Sequence, residues 1–157
     1  HAGVIGDGVW ATAIRMLLRR NGIDHIGENL DGEDSGFRLV FQDEEGRKTY
    51  IAHYGAEANG DEHTFDAINP PHGAVVHIGG NTLMNQTAAG LDAFIRRAGN
   101  DPRKRDWTLV LNSTNALNQV SDKMIEDLVL ARPIWSCNRQ EAGTPTGWAC
   151  ISTKAPR

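Results

Sequence analysis

Between Ala74 and Cys137 three short apolar runs alternate with two amphipathic helical patterns, and this alternation restricts the fold more than any other feature of the chain. The runs are Ala74-Val75-Val76-His77-Ile78, Trp107 to Leu111 and Ile134 to Cys137. Near-continuous apolar strands separated by helices are βαβ units, which build a parallel sheet with helices on both faces. The first helical pattern spaces Leu91, Phe94, Ile95 and Ala98 and is closed by Gly99-Asn100. The second carries Met124, Ile125, Leu128 and Val129 behind a Ser121 cap, and Pro133 breaks it.

Upstream the pattern differs. Trp10, Ile14, Leu17 and Leu18 recur at helical spacing and predict a helix over 8–20, ended by Asn21-Gly22, with Arg15, Arg19 and Arg20 on a solvated face. From Ser35 to Ala56 the period becomes two. Phe37, Leu39 and Phe41 alternate with Arg38, Val40 and Gln42, and Tyr50, Ala52 and Tyr54 follow the acidic turn Asp43-Glu44-Glu45-Gly46. This is a β-hairpin in a half-exposed antiparallel sheet. The expected organisation is one partial α/β domain over 1–142, with the hairpin at about 35–56, and an irregular tail over 143–157.

Composition removes several function classes. A formal net charge of -4 leaves no electrostatic footprint for nucleic acid, and the cluster Arg103-Lys104-Arg105 reads as a solvated loop. No apolar run reaches the roughly 20 residues that a membrane helix requires. The N-terminus lacks a secretory pattern, so a cytoplasmic location is the expectation. Cys137 and Cys150 are too few for a disulfide framework and have no metal-ligand spacing. The chain begins with His1 rather than Met, as a trimmed or partial reading of a longer gene would.

Ligands of open parallel sheets bind outside the carboxyl ends of the strands. Three strands here end in polar residues, at His77 to Asn81, Asn112 to Asn115 and Asn138 to Glu141. Glycines at such ends admit a ligand to the backbone, Asn and Thr donate to oxyanions, and a carboxylate such as Glu141 can hold hydrated Mg²⁺. Turn chemistry alone also selects Asn and Gly after strands, and Asn138 with Glu141 reads equally as a helix start. His77 reads also as a satisfied core or edge histidine.

Taken in order, several segments resemble the PfkB-type, ribokinase-like carbohydrate kinases. They are Ile5-Gly6-Asp7, Arg20-Asn21-Gly22-Ile23-Asp24, Gly46-Arg47-Lys48-Thr49-Tyr50-Ile51, Tyr54-Gly55-Ala56-Glu57-Ala58-Asn59, Val75-Val76-His77-Ile78-Gly79-Gly80 and Asn138-Arg139-Gln140-Glu141-Ala142. The last looks like the family's Asn-x-x-Glu motif. The resemblance implies ATP-dependent phosphorylation of a sugar or sugar-like hydroxyl, with the hairpin as a lid over the sugar. Carried over, Asn138 contacts nucleotide phosphate, Glu141 acts through the Mg²⁺ shell, and Gly55 and Ala56 approach the substrate. By position His77, Asn81 and Asn112 face sugar or phosphates, although many relatives have Asp where Asn112 stands.

The family also carries a Gly-Gly signature with a substrate-gripping Asn before this region, and an Asp-Thr-x-Gly-Ala-Gly-Asp signature near its C-terminus. The latter supplies an anion hole at a helix N-terminus and the catalytic base. Neither run occurs in these 157 residues, so no catalytic base is assigned. The expectation is therefore a kinase function for the intact parent protein, with this chain inactive alone. The alternatives are a non-catalytic sugar-binding or regulatory module, and a truncated product without a function of its own. The expected partner is a small sugar, together with a second copy of the chain able to pair through the lid sheet; no nucleic acid or membrane is expected.

Overall fold

A computed structural model gives the structure of the chain and describes residues 1–114, 117, 119–138 and 141. The described elements run α1 (Val9–Arg20), β1 (Phe37–Gln42), β2 (Lys48–His53), β3 (Val75–Gly79), α2 (Ala88–Arg96), β4 (Thr108–Asn112), α3 (Asp122–Leu130) and β5 (Ile134–Ser136). The expected helices and strands are thus present, displaced by a few residues at their ends. Asn115, Arg139, Gln140, Ala142, Cys150 and the tail over 143–157 lie outside the described residues.

The chain divides into two compact units, one formed by 1–69 and 85–94, the other by 70–84 and the described residues from 95 onward. In the second unit β3, β4 and β5 form a parallel sheet in that order. Val75 to Gly79 pair with Thr108 to Asn112, and Val110 to Asn112 pair with Ile134 to Ser136. The central strand is the most deeply covered: Leu109 and Leu111 are buried, whereas β3 buries Ile78 but exposes Val75, and Ile134 on β5 is exposed. Burial of a near-continuous apolar strand requires neighbours on both sides, and within this sheet only β4 has them.

The second unit closes around Ile78, Leu83, Trp107, Leu109, Leu111, Met124 and Leu128, all buried. Ser121 caps α3, its hydroxyl accepting from the Met124 N–H at 3.3 Å. The basic cluster departs from its expected role as a solvated loop. Arg105 is half-buried, its guanidinium lies 4.6 Å from the Trp107 ring centroid, and it donates to the Ala131 carbonyl at 2.7 Å. The guanidinium thus satisfies a carbonyl at the end of α3.

The first unit buries Val4, Ile5, Ala11, Ala56, Ile68, Leu91 and Phe94. Its α1 ends as the sequence implies, with Gly22 at φ 66°. Arg15 is not merely solvated, since it donates to Asn29 Oδ1 at 2.6 Å. The N-terminus of α1 is capped from a distance. No side chain of Gly8 exists to do it, and the carboxylate of Asp34 accepts from the N–H groups of Trp10 at 3.0 Å and Ala11 at 2.9 Å. A carboxylate there satisfies orphan donors and opposes the positive end of the helix dipole.

β1 and β2 form the antiparallel hairpin, with Phe37 opposite His53, Leu39 opposite Ile51 and Val40 opposite Tyr50. Phe37, Leu39, Phe41 and Ile51 share one face, Val40, Tyr50 and Ala52 the other. The half-exposed hairpin expected from the sequence is more open than that. Every residue from Arg38 to Gln42 and from Lys48 to His53 is exposed. Phe37 is the exception, its ring 5.3 Å from that of Trp10.

Partial burial raises the pKa of Asp34, but backbone donors from Ala11, Trp10, Ser35 and Val9 outweigh it and hold the carboxyl below its ordinary value of 3.8. A depressed folded-state pKa contributes stability above the unfolded value and loses it as pH falls through the folded one. Asp34→Ala is therefore expected to lower the thermal midpoint at pH 7, with the gap to wild type closing below pH 3.8. Melting curves by circular dichroism across pH 2 to 7 check this, and a gap independent of pH refutes it.

Candidate functional site

The carboxyl ends of β4 and β5 bring several of the sequence-predicted residues into one unit. Asn112 ends β4 and is exposed, in register with Gly79 on β3 and Ser136 on β5. Beyond it Ser113 is buried, its N–H donating to the Ser136 carbonyl at 3.0 Å, so the chain leaves β4 still bound to β5. Asn138 follows β5 by two residues and is also exposed.

Asn138 and Glu141 are locked to one another. The Asn138 N–H donates to Glu141 Oε2 at 3.0 Å, the Asn138 amide Nδ2 donates to Oε1 at 2.7 Å, and the Glu141 N–H donates back to Asn138 Oδ1 at 2.9 Å. This is a reciprocal capping box built from Asn and Glu. The helix-start reading of the pair is realised, and it is compatible with a ligand role because both side chains stay at the surface. The box holds one carboxylate at a fixed position, a geometry suited to orienting water.

On β3, His77 is exposed and lies opposite Val110, away from the strand's end. Asn81 is exposed in the short 3-10 turn Gly80–Leu83 that follows β3. The two glycines before it have different uses. A Cβ on Gly79 would meet nothing within 4 Å, so that backbone borders open space. A Cβ on Gly80 would lie 2.7 Å from the Asn112 carbonyl oxygen and 2.8 Å from Thr114 Oγ1. Glycines at a strand end are expected to leave room for a ligand. At Gly80 the room is taken by the β4 exit loop, and at Gly79 it is open.

Gly55 and Ala56 belong to the first unit, both buried where β2 leaves the hairpin. The Ala56 N–H donates to the Asp34 carbonyl at 2.9 Å, and Gly55 packs against Asp34, Ser35 and Gly36 backbone. They form the base of the hairpin. Sequence reasoning missed Asp34 and Glu57, which organise this base, because neither stands in a local motif; Asp34 lies 24 residues from the N–H it caps.

A magnesium ion fits this residue set in one manner only. Among the described residues no group of three or more His, Cys, Asp and Glu side chains gathers as a ligand cage. Glu141, with its oxygens already in hydrogen bonds, suits an ion that keeps its waters and takes phosphate oxygens as ligands. No helix among the described residues is long and apolar enough to cross a membrane.

No family model matches the chain. It is 23% identical over 138 residues to the uncharacterized sugar kinase YegV of Escherichia coli (strain K12), covering 88% of this chain and 41% of that protein. Among solved structures, adenosine kinase from Sinorhizobium meliloti superposes with a TM-score of 0.70 at 16% identity, over 89% of this chain and 43% of that one. Ribokinase from Giardia lamblia gives a TM-score of 0.69 at 16% identity, over 90% and 42%. Fructokinase from Vibrio cholerae O395, in its form with fructose, ADP and calcium ion bound, gives 0.57 at 13% identity, over 89% and 46%.

The two glycines give a direct test of the β3 exit. Gly80→Ala is expected to cost about 1–3 kcal/mol, because backbone rather than a flexible side chain must yield. Gly79→Ala, with φ -80° and ψ 130° and open space around it, is expected to be neutral or to gain about 0.4–1 kcal/mol. Urea midpoints of the two variants check this, and equal costs would remove the distinction. Strand order, hairpin and superposition agree with the resemblance read from the sequence: the chain has the ribokinase-like α/β fold, over less than half the length of the kinases it is similar to.

Proposed function

We propose that this chain is the lid and phosphate-side portion of an ATP-dependent carbohydrate kinase, which transfers the γ-phosphoryl group of ATP to a hydroxyl of a sugar or sugar-like substrate. The observation that carries the reading is the coincidence of the kinase-type fold with a capped Asn138–Glu141 corner at the carboxyl end of β5. That end of a parallel sheet is where ligands of open α/β folds bind.

In this reading Asn112 and Asn138 donate to nucleotide phosphates, and Glu141 orients the waters of Mg²⁺. Bound there, the ion neutralises charge on the transferring phosphoryl group. His77 and Asn81 contact the sugar in this reading, and Gly55 and Ala56 form the base from which the lid hairpin springs. These residues position and bind; none of them is a base for the attacking hydroxyl. A loose phosphoryl-transfer transition state needs alignment and charge stabilisation above all, so a chain with one phosphate corner, no anion-hole glycines and no base supplies part of the machinery. The 157 residues by themselves are accordingly inactive, and the activity belongs to the intact kinase.

The reading extends to location and assembly: a cytoplasmic protein that pairs through its hairpin. Leu39, Phe41 and Ile51 support the second point, being exposed together on one face of the hairpin, where a second copy would cover them. Light scattering should find a dimer that Leu39→Lys with Ile51→Lys converts to monomer; a wild-type monomer at high concentration removes the pairing.

Coupled detection of ADP over a panel of sugars and nucleosides tests the chemistry. The chain alone is expected to give no turnover above background, and robust turnover would overturn that part of the proposal. Calorimetry separates the alternatives: weakened nucleotide binding in Asn138→Ala supports a phosphate corner, while sugar binding without nucleotide binding favours a non-catalytic sugar-binding module.

A further inference from the structure

The antiparallel ladder of the hairpin stops at Phe37 and His53. Just beyond it two backbone donors, the N–H groups of Gly36 and Gly55, lack strand partners, and one carboxylate takes both. Glu57 Oε2 accepts from Gly36 at 2.8 Å and Glu57 Oε1 accepts from Gly55 at 3.1 Å. Bonds from N–H groups to a carboxylate are stronger than those to a neutral acceptor. Both donors are glycines for a steric reason: a Cβ on Gly36 would collide with the Glu57 carboxylate and the His53 carbonyl, and one on Gly55 with the Asp34 carbonyl.

The other end of Glu57 is anchored in the body of the first unit. Its carbonyl accepts from the Thr87 hydroxyl at 2.8 Å, and that same hydroxyl accepts from the Gly60 N–H at 3.0 Å. Thr87 is buried, at 2% exposure. Glu57 therefore joins a fixed point in the core, through its backbone, to both strand ends of a hairpin that is otherwise exposed on each face. Beyond the contact of Phe37 with Trp10, a hairpin with so little packing has few side-chain contacts to set its angle, and its attachment has to contribute.

We propose that Glu57 is the positioning residue of the hairpin, a latch whose carboxylate ties both strand ends to the body of the unit and sets the angle at which the hairpin stands. Its functional meaning rests on the reading of the hairpin as a substrate lid, since the latch then governs how the lid meets a sugar. The latch itself does not depend on that reading. Releasing one or both hydrogen bonds frees the glycine pair, whose backbone has the conformational range to act as a hinge.

Hydrogen exchange on the chain and three variants tests the latch. Glu57→Gln keeps the shape and one good acceptor oxygen, Glu57→Asp keeps the charge on a shorter arm, and Glu57→Ala removes both. Amides of Gly36 to Gln42 and Lys48 to Gly55 are expected to exchange faster in the order Glu, then Gln and Asp, then Ala. The Ala variant should be about tenfold faster or more, the effect of losing two charge-assisted hydrogen bonds. Amides of β3, β4 and β5 should be unchanged. Unaltered exchange in the hairpin, or equal acceleration across both units, overturns the proposal, the second result marking Glu57 as a general stability residue. Glu57→Gln keeps the comparison decisive if Glu57→Ala does not fold. Absence of ADP release from any form bears on the kinase reading alone, because the exchange pattern does not require turnover.

Discussion

The crossing of two chain segments at the base of the hairpin is the constraint on which the first unit depends. Asp34 serves three purposes there. Its carboxylate caps α1 through Trp10 and Ala11, its carbonyl accepts from Ala56, and its own side chain also accepts from the Ser35 N–H at 2.7 Å. Ser35 adds a buried hydroxyl that accepts from Gly6 at 3.1 Å. The start of the chain, the helix, and both ends of the hairpin are thus tied at one place. Glycines at 6, 8, 36 and 55 permit the close approach, since an added Cβ at each would meet backbone or a carboxylate. Polar groups withdrawn from water must find partners, and here they find each other.

The second unit is organised by a different principle. Its parallel sheet is held by the burial of a central strand, and its polar residues gather where the strands end. Leu109, Leu111 and Leu128 make the core, while Asn112, Asn138 and Glu141, the residues proposed for the phosphate corner, stand outside it. The core does not need the apolar area of side chains at its rim. The capping box between Asn138 and Glu141 is economical in this sense, holding the carboxylate in place without burying it.

Much of the fold was legible in the sequence because it rests on local rules. The change from period two in the hairpin to period 3.6 in the helices, the Ser121 cap, the Gly22 stop and the order of apolar runs each depend on neighbours within a few residues. Other features had no local signature. Arg105 reads as part of a basic loop, yet it stacks on Trp107 and caps the end of α3 from 26 residues away. The hairpin's alternation predicted one covered face, whereas both stand open, because alternation reports which face is apolar and not what lies against it.

The sequence by itself determined the α/β class, the hairpin, the strand end at Asn112 and the exit of the last strand shortly before Asn138, and the resemblance to ribokinase-like kinases, since these follow from periodicity, turn residues and ordered short segments. Only the tertiary structure decided that Gly80 makes room for a loop while Gly79 borders open space, that Asp34 caps a helix it does not precede, and that Glu57 joins both ends of the hairpin to the core. Each of these is a meeting of groups distant in sequence, and no local pattern encodes which distant donor a carboxylate will accept from.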